Sequence, residues 1–199
     1  MGRKSKAKIR RQEILSHFYE VIIEEGFEGA SIGKIAKRME VNPSLLIHYF
    51  STKDAMVIGL IDYIMSTYSS HIIPDFSSVE DPQERWDDVV DVVSKIQWDL
   101  IMNKTVFYSF YALGMRNPEI RMRFVDFYEG LRKTLAKEIA HAKSQEIIEI
   151  EDPEESAKMI ISLIEGTNFY QHVTSEKSNR VERSDMFKAV MRQLFPPFK

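Results

Sequence analysis

The sequence SIGKIAKRMEVNPSLLIHYFSTKD, residues 31–54, indicates how this chain folds. Its six residues LLIHYF, at 45–50, would by composition suit a short buried strand. They follow Asn42-Pro43, however, and this pair favours the start of a helix. The asparagine side chain can accept a hydrogen bond from a first-turn N–H, and proline has a preset φ. We therefore predict a short helix over residues 43–50.

Helical periodicity extends along nearly the whole sequence. Apolar residues recur at every third or fourth position, and no pair of strands with a hairpin turn is evident. The Asx-Pro start occurs at Asn42-Pro43, Asp81-Pro82, Asn117-Pro118 and Asp152-Pro153. Gly26 is placed to end the first helix, and Ser31 to cap the second. The sequence predicts an all-α chain of nine helices, near residues 8–25, 32–39, 43–50, 53–71, 82–102, 104–115, 118–144, 153–174 and 184–195.

The composition limits the class of protein. The chain has 199 residues, of which 44% are hydrophobic, enough for a globular core. It has no cysteine, which excludes disulfides and thiolate sites and fits a reducing cytoplasm. No apolar run approaches the roughly 18 residues of a membrane helix, and the basic N-terminus has no apolar signal core behind it. We expect a soluble, cytoplasmic protein with no membrane partner.

Charge is unevenly distributed along the chain. Residues 1–53 hold ten Lys/Arg and six Asp/Glu, a balance of +4, whereas residues 54–199 hold 17 and 24, a balance of −7. The first eleven positions contain no acidic residue and six basic ones, Arg3, Lys4, Lys6, Lys8, Arg10 and Arg11. We predict that residues 1–8 form a flexible basic arm that contacts a polyanion. A solubilising tail is the alternative.

Residues 31–50 have the spacing of a helix-turn-helix, with a three-residue turn between two short helices. A generic corner between two helices is the alternative. At 100° per residue the second helix has one face for the core and an opposite face for another partner. The core face carries Leu46 and Phe50 with Pro43, the opposite face Ser44 and His48, and the flanks Leu45, Tyr49 and Ile47.

Residues 9–54 resemble the DNA-binding domain of the tetracycline-repressor (TetR) family of bacterial transcription regulators. The resemblance rests on the Gly26-Phe27 break, the Ser31…Ile35-Ala36 helix, the Val41-Asn42 turn and Leu46…Tyr49-Phe50…Lys53. It implies a nine-helix architecture, with a three-helix DNA-binding head at 9–53. It also implies a helical domain at 54–199 that binds an effector and forms a dimer.

The resemblance also implies roles for individual residues of the head. Ser31 is expected to contact phosphate, Asn42 to cap the recognition helix, and Ser44 and Leu45 to contact base edges. Lys53 is expected to clamp a phosphate. The predicted DNA-binding residues are Ser31, Asn42, Pro43, Ser44, Leu45, His48, Tyr49 and Lys53.

Four positions depart from the family pattern. Glu40 replaces the usual glycine before the turn, and a positive φ there would cost glutamate about 1 kcal/mol. Leu45, Ile47 and Tyr49 stand where the family often has Thr, Tyr and His. Leu45 predicts apolar contact with a thymine methyl group. The phosphate contact missing at Ile47 would fall to His48 or Tyr49, and Ile47 itself has no assigned role.

Aromatic residues with a few interleaved polar groups predict a site for a small, largely apolar effector in the second half. Ordinary core packing is the alternative for each of them. The predicted pocket residues are Trp86, Trp98, Met102, Phe107, Phe110, Tyr111, Met115, Phe127, Tyr128, Phe169 and His172.

The resemblance implies that the last two long helices form the four-helix bundle of a homodimer. The small residues Ala157, Ser162 and Gly166 would permit close helix approach. A hairpin within one chain is the alternative. The predicted interface residues are Met159, Leu163, Gly166, Tyr170, Phe187 and Met191.

Enzymatic chemistry has little support. The five histidines are scattered without metal-ligand spacing, and the sequence has no Gly-rich phosphate loop or nucleophile elbow. We predict no catalytic residues, no metal site and no cofactor. The hypothesis is a homodimeric, ligand-responsive repressor on a near-palindromic operator, associated with the nucleoid when bound. The alternatives are a ligand-binding or scaffold protein of the same fold and a small-molecule enzyme.

Overall fold

The computed structural model describes residues 3–96, 102–174 and 180–198. Within these ranges the chain forms nine α-helices and no strand longer than an isolated bridge. The helices are α1 (Arg3–Gly29), α2 (Ile32–Arg38), α3 (Pro43–Tyr49), α4 (Lys53–Ile72), α5 (Pro82–Ser94), α6 (Lys104–Gly114), α7 (Pro118–Ser144), α8 (Pro153–Thr174) and α9 (Arg180–Leu194). The predicted all-α fold with nine helices is confirmed.

Several helix boundaries differ from the sequence prediction. Helix α1 already begins at Arg3, so residues 3–8, predicted as a flexible arm, are helical. Lysine, arginine and alanine are good helix formers, which explains this extension. Helix α5 ends at Ser94 and not near residue 102. Helix α9 begins at Arg180, four residues before the predicted start.

The four Asx-Pro starts are confirmed at the level of atoms. The side-chain oxygens of Asn42, Asp81, Asn117 and Asp152 accept hydrogen bonds of 2.8–2.9 Å from N–H groups of the first turns. Each cap satisfies a donor that the helix itself leaves unpaired. Gly26 has φ 76° and ψ 165°, so α1 is broken there, as the sequence predicted.

The described residues divide into two compact units. The first comprises 3–68 and 102–126, and the second comprises 69–96, 127–174 and 180–198. The predicted domain boundary after residue 53 therefore falls inside the first unit, and α4 and α7 each contribute to both units. In the part of the chain that the structure describes, no helix is long and apolar enough to cross a membrane.

Each unit has its own apolar core. The core of the first unit includes Ile14, Phe18, Ile22, Ile35, Leu46, Phe50, Leu60, Phe110 and Ile120. The core of the second includes Trp86, Val89, Val93, Leu135, Ile139, Ile160, Ile164, Phe187 and Met191. Burial of these side chains is the main driving force that holds the helices of each unit together.

One ion pair is buried in the second unit. The guanidinium of Arg85 on α5 donates two hydrogen bonds to the Glu138 carboxylate on α7, of 2.7 and 3.0 Å. This bidentate geometry satisfies both charged groups where water is largely excluded. Hydrogen bonding to Glu138 also raises the pKa of Arg85, which therefore stays charged.

Candidate nucleic-acid interface

The turn between α2 and α3 is tight. The Val41 N–H donates to the carbonyl of Ala36 at 3.0 Å, and Glu40 has φ 53°. The predicted positive φ of Glu40 is confirmed, so the chain tolerates a conformation in which a side chain is disfavoured. Ser31 caps α2 by accepting a 3.3 Å hydrogen bond from the Lys34 N–H.

Helix α3, the predicted recognition helix, has a buried face and an exposed face, as its periodicity predicted. Leu46 lies on its buried face, as does Phe50 directly after it, whereas Ser44 and His48 are exposed. Ile47 is the most exposed large apolar side chain of α3, with 53% of its surface exposed. The remaining members of the predicted set are arranged around this exposed face: Asn42 and Pro43 are exposed, and Leu45 and Tyr49 are half-buried. The solvent-exposed side of α3 is therefore accessible to a partner along the whole length of the helix.

Arg11 fixes the carboxyl end of α3. Its Nη1 donates to the backbone carbonyl of Tyr49 at 2.6 Å, and its guanidinium carbon lies 4.1 Å from the centroid of the Phe50 ring. Sequence reasoning assigned Arg11 to a basic cluster that seeks a polyanion and missed this internal contact. A signal was present, because Arg11 lies three residues before Ile14 and therefore on the same face of α1 as this core residue.

Arg38 on α2 has two acidic partners on α1. Its Nε and Nη1 lie 2.9 and 2.6 Å from carboxylate oxygens of Glu20 and Glu24. The hydrogen bond to Glu24 is the main cause that raises the pKa of Arg38. Lys34 similarly pairs with Glu25. These bridges hold α2 on α1 and occupy basic residues that composition alone would assign to DNA.

Lys53 requires a correction. Its ammonium donates to the carbonyl of Phe27 at 2.7 Å and lies 4.3 Å from the centroid of the Phe27 ring. It therefore ties the start of α4 to the end of α1 and does not project as the predicted phosphate clamp. Long-range hydrogen bonding of this kind has no local sequence signature.

Three lysines of the first unit remain available to an anionic partner. Lys6, Lys8 and Lys37 are exposed, and none has a carboxylate within 4.0 Å among the residues that the structure describes. Unpaired cations on the same compact unit as α3 suit a phosphate backbone. The first unit thus has both an accessible helix, α3, and lysines whose charge is not neutralised by a carboxylate.

The predicted pocket residues are distributed over both units, and Trp98 lies outside the described residues. In the first unit Met102, Phe107 and Phe110 are buried. Phe110 packs edge-on against Phe27, with 6.5 Å between ring centroids, so it belongs to the contact of α6 with α1. Met115 is 67% exposed and Tyr111 is also exposed, which makes both surface residues of this unit. Their assignment to a pocket is not supported by these positions.

In the second unit Trp86 borders a cavity of about 300 Å³ between α5 and α9. Its ring meets that of Phe195 edge-on, with 5.7 Å between centroids. The cavity is lined by Trp86, Asp87, Val90, Lys188, Met191, Arg192 and Phe195. Of the other predicted pocket residues, Phe127, Tyr128 and His172 are half-buried and Phe169 is exposed, and none of them lines this cavity.

The predicted interface residues fall into two groups. Met159, Gly166 and Tyr170 are exposed and Leu163 is half-buried along one stripe of α8. Phe187 and Met191 on α9 are only 4% and 1% exposed within a single chain, so they are core residues and their assignment to the interface is wrong. Their apolar character reflects packing inside the second unit. Sequence reasoning missed further exposed apolar residues, Val173, Val181 and Met186.

The fold and the outer face of α3 together define a helix-turn-helix DNA-binding protein. Comparison with family models agrees. Residues 83–196 match a model described as tetracyclin repressor-like, C-terminal domain, and residues 14–60 match one described as bacterial regulatory proteins, tetR family. The chain belongs to the TetR family of bacterial transcriptional regulators, which are regulators and not enzymes.

Curated relatives share this description over most of their length. The HTH-type transcriptional regulator BetI of Rhizobium meliloti (strain 1021) is 22% identical over 167 residues, covering 84% of this chain and 80% of that protein. The uncharacterized HTH-type transcriptional regulator YvdT of Bacillus subtilis (strain 168) is 25% identical over 188 residues, covering 92% and 94%.

Solved structures show the same fold. A transcriptional regulator from Saccharomonospora viridis in complex with choline has a TM-score of 0.80 at 18% identity, with 94% of this chain and 98% of that chain covered. The regulator FadR from Bacillus subtilis in complex with stearoyl-CoA has a TM-score of 0.70 at 22% identity, with 92% and 98% covered.

Proposed function

We propose that the protein is a homodimeric repressor that binds a near-palindromic operator through α3 and is released by a small-molecule effector. The main support for the proposal is the outer face of α3, whose side chains Ser44, Ile47 and His48 are exposed and do not belong to the apolar core. Two such helices, one from each protomer, would enter successive major grooves roughly 34–36 Å apart. The protein would act in the bacterial cytoplasm, at the nucleoid.

The operator is tested by selecting bound sequences from a pool of random duplexes. The proposal expects enrichment of a palindrome whose half-sites are one helical turn apart. Titration of the selected duplex at several salt concentrations should give a log–log slope near −5, if about six phosphates are contacted. No enrichment and a flat salt response would instead support a ligand-binding or scaffold protein of the same fold.

Dimer formation is supported by the apolar stripe on α8. Met159, Leu163, Gly166, Tyr170 and Val173 recur at intervals of three and four residues, so they lie along one side of the helix. An added Cβ at Gly166 would meet no atom within 4 Å, so this position leaves room for a neighbouring helix. A mostly exposed apolar stripe of this length is typical of a helix that packs against a partner.

The effector is proposed to be a small, largely apolar molecule. The cavity between α5 and α9, of about 300 Å³, has an apolar floor of Trp86, Met191 and Phe195 and charged groups around it. Its volume is at the lower end for ligand pockets, which favours a compact effector over a long acyl-CoA. Coupling of about 1–3 kcal/mol would change operator affinity roughly 5- to 150-fold.

The effector site can be tested by tryptophan fluorescence, since the chain has two tryptophans. A compact ligand that occupies this cavity should change the emission of the wild type and release operator DNA. Trp86→Phe should lose the fluorescence change. A ligand that releases DNA from Trp86→Phe and the wild type alike, with no change in emission, would place the effector elsewhere.

A further inference from the structure

Helix α3 carries two apolar side chains on opposite flanks of its outer face. Ile47 is 53% exposed and Leu45 is half-buried, whereas Leu46 between them is fully buried in the core. At 3.6 residues per turn, positions 45 and 47 point about 160° apart around the helix. The exposed Ser44 and His48 lie between them. The outer face is therefore a narrow polar strip with an apolar group on each side.

The polar groups of this face are few. Helix α3 contains no lysine or arginine, so it cannot form the bidentate contact with guanine that these residues make. The exposed groups of α3 that can hydrogen-bond are the Ser44 hydroxyl and the His48 ring. Apart from these groups and the half-buried Tyr49, the surface that α3 could offer to base edges is aliphatic. The apolar group that a base presents in the major groove is the 5-methyl group of thymine.

The dimensions of the major groove determine which part of the DNA each flank of α3 can contact. An α-helix with its side chains is about 10–12 Å across, and the major groove of B-DNA is about 12 Å wide. When the polar strip faces the groove floor, the two flanks of α3 face opposite walls, which belong to opposite strands. Positions 45 and 47 are about 3 Å apart along the helix axis, close to the spacing of one base-pair step.

We propose that Leu45 and Ile47 contact thymine methyl groups on opposite strands of one half-site, within about two base pairs of each other. Leu45 alone would require only one such thymine. With Ile47 included, the half-site must contain an A·T pair and a T·A pair close together. This inference rests on the proposed function, because it names the chemistry that α3 recognises in the operator. It also gives Ile47 a role as a specificity-determining residue.

The test uses the wild-type protein and the duplex obtained by selection. Each thymine of a half-site is replaced singly by deoxyuridine, which removes only the methyl group, and affinity is measured at fixed salt. We expect about a fourfold loss at two positions on opposite strands, the effect of one buried methyl group at each, and no loss elsewhere. Failure to select any duplex would overturn the proposed function itself, whereas the methyl inference is judged only on a selected duplex.

Variants assign each methyl group to its side chain. Ile47→Ala should abolish the effect of deoxyuridine at one of the two positions, and Leu45→Ala at the other. Ile47→Val should retain part of the effect. Ile23→Ala, which shortens another exposed isoleucine of the first unit, should leave both effects unchanged.

Three results would overturn the inference. The first is a selected site with no loss on deoxyuridine substitution. The second is a pair of sensitive thymines on the same strand. The third is an Ile47→Ala variant that binds more weakly but keeps both deoxyuridine effects, because Ile47 would then contact the sugar-phosphate backbone.

Discussion

Arg11 on α1 holds the carboxyl end of α3 through the backbone of Tyr49. The Nη1 to carbonyl oxygen distance is 2.6 Å, and the two residues are 38 positions apart in the sequence. The last carbonyls of a helix have no partner within the helix. A guanidinium placed there satisfies one of them, and it also packs against the ring of Phe50, the residue that follows α3.

Arg11→Ala should therefore weaken operator binding about tenfold, the effect of losing a charge-assisted hydrogen bond. The slope of affinity against salt should not change, because Arg11 is assigned to a helix end and not to a phosphate. Lys8→Ala is the matched control and should reduce the slope by about one. Salt-dependent titrations of both variants decide the role, and a reduced slope for Arg11→Ala would make it a phosphate ligand.

Two substitutions of Glu40 separate the effect of its backbone strain on stability from the effect of its charge on DNA binding. Glu40→Gly should stabilise the protein by about 1 kcal/mol, because φ is 53° at this position. Glu40→Gln should leave the melting temperature unchanged, since it keeps the side chain. Both variants should bind DNA more tightly if the carboxylate repels a phosphate. Equal melting temperatures for glycine and glutamine would contradict the assignment of strain.

Removing one member of the Arg85–Glu138 pair should destabilise the protein more than replacing both members by apolar residues. Glu138→Ala leaves a buried guanidinium unpaired and should lower the free energy of unfolding by about 3–5 kcal/mol. The double variant Arg85→Met, Glu138→Leu should cost less than this single change. Glu129→Gln, which breaks an exposed pair with Arg132, is the control and should cost less than about 1 kcal/mol. Urea denaturation measures all three.

Asp91 should make stability depend on pH at the contact of α5 with α9. Hydrogen bonds from Lys188, at 2.6 Å, and from Lys95 lower the pKa of Asp91 below its ordinary value. A lowered folded-state pKa stabilises the protein above the ordinary aspartate value, and this contribution disappears as the pH falls through the folded pKa.

Asp91→Asn should accordingly melt about 1–3 °C below the wild type at neutral pH, and this difference should vanish as the pH falls through the lowered pKa of Asp91. The effect is small because the Asp91 side chain is 38% exposed and solvent screens the pair. Asp88→Asn, three residues earlier on α5, removes the same charge and is the control. A difference that grows in acid would contradict the assignment.

The sequence was sufficient for features that depend on neighbouring residues. Asn42 caps α3 through an atom two positions away, so the Asx-Pro pair alone predicted the helix start. The separation of Leu46 from Ser44 and His48 follows from helix geometry and needs no tertiary information. Ile47 was recognised from the same geometry as a residue without a role in the core.

Features that depend on distant partners could not be predicted in this way. Lys53 is basic at the start of a helix whether it faces a phosphate or the carbonyl of Phe27, 26 residues away. An apolar residue at helical spacing is equally suited to a core, a pocket or an interface. Phe187 and Met191 were therefore assigned to a dimer surface, although they are buried within one chain.

Correcting those two residues sharpens the test of the dimer. Phe187→Glu would place a charge in the core and unfold the protein, so its effect on association could not be interpreted. Tyr170 is exposed on α8, and Tyr170→Glu should leave the fold intact but bury an unpaired carboxylate from each protomer in the symmetric interface. Sedimentation at micromolar concentration should show a dimer for the wild type and a monomer of 23.2 kDa for this variant.

Met115→Glu is the matched control, because Met115 is as exposed as Tyr170 but lies on the first unit and outside the α8 stripe. It should sediment as the wild type does. Because a dimer binds two half-sites, loss of the dimer should also reduce operator affinity much more than binding to an isolated half-site. A dimeric Tyr170→Glu protein would move the interface away from the apolar stripe on α8.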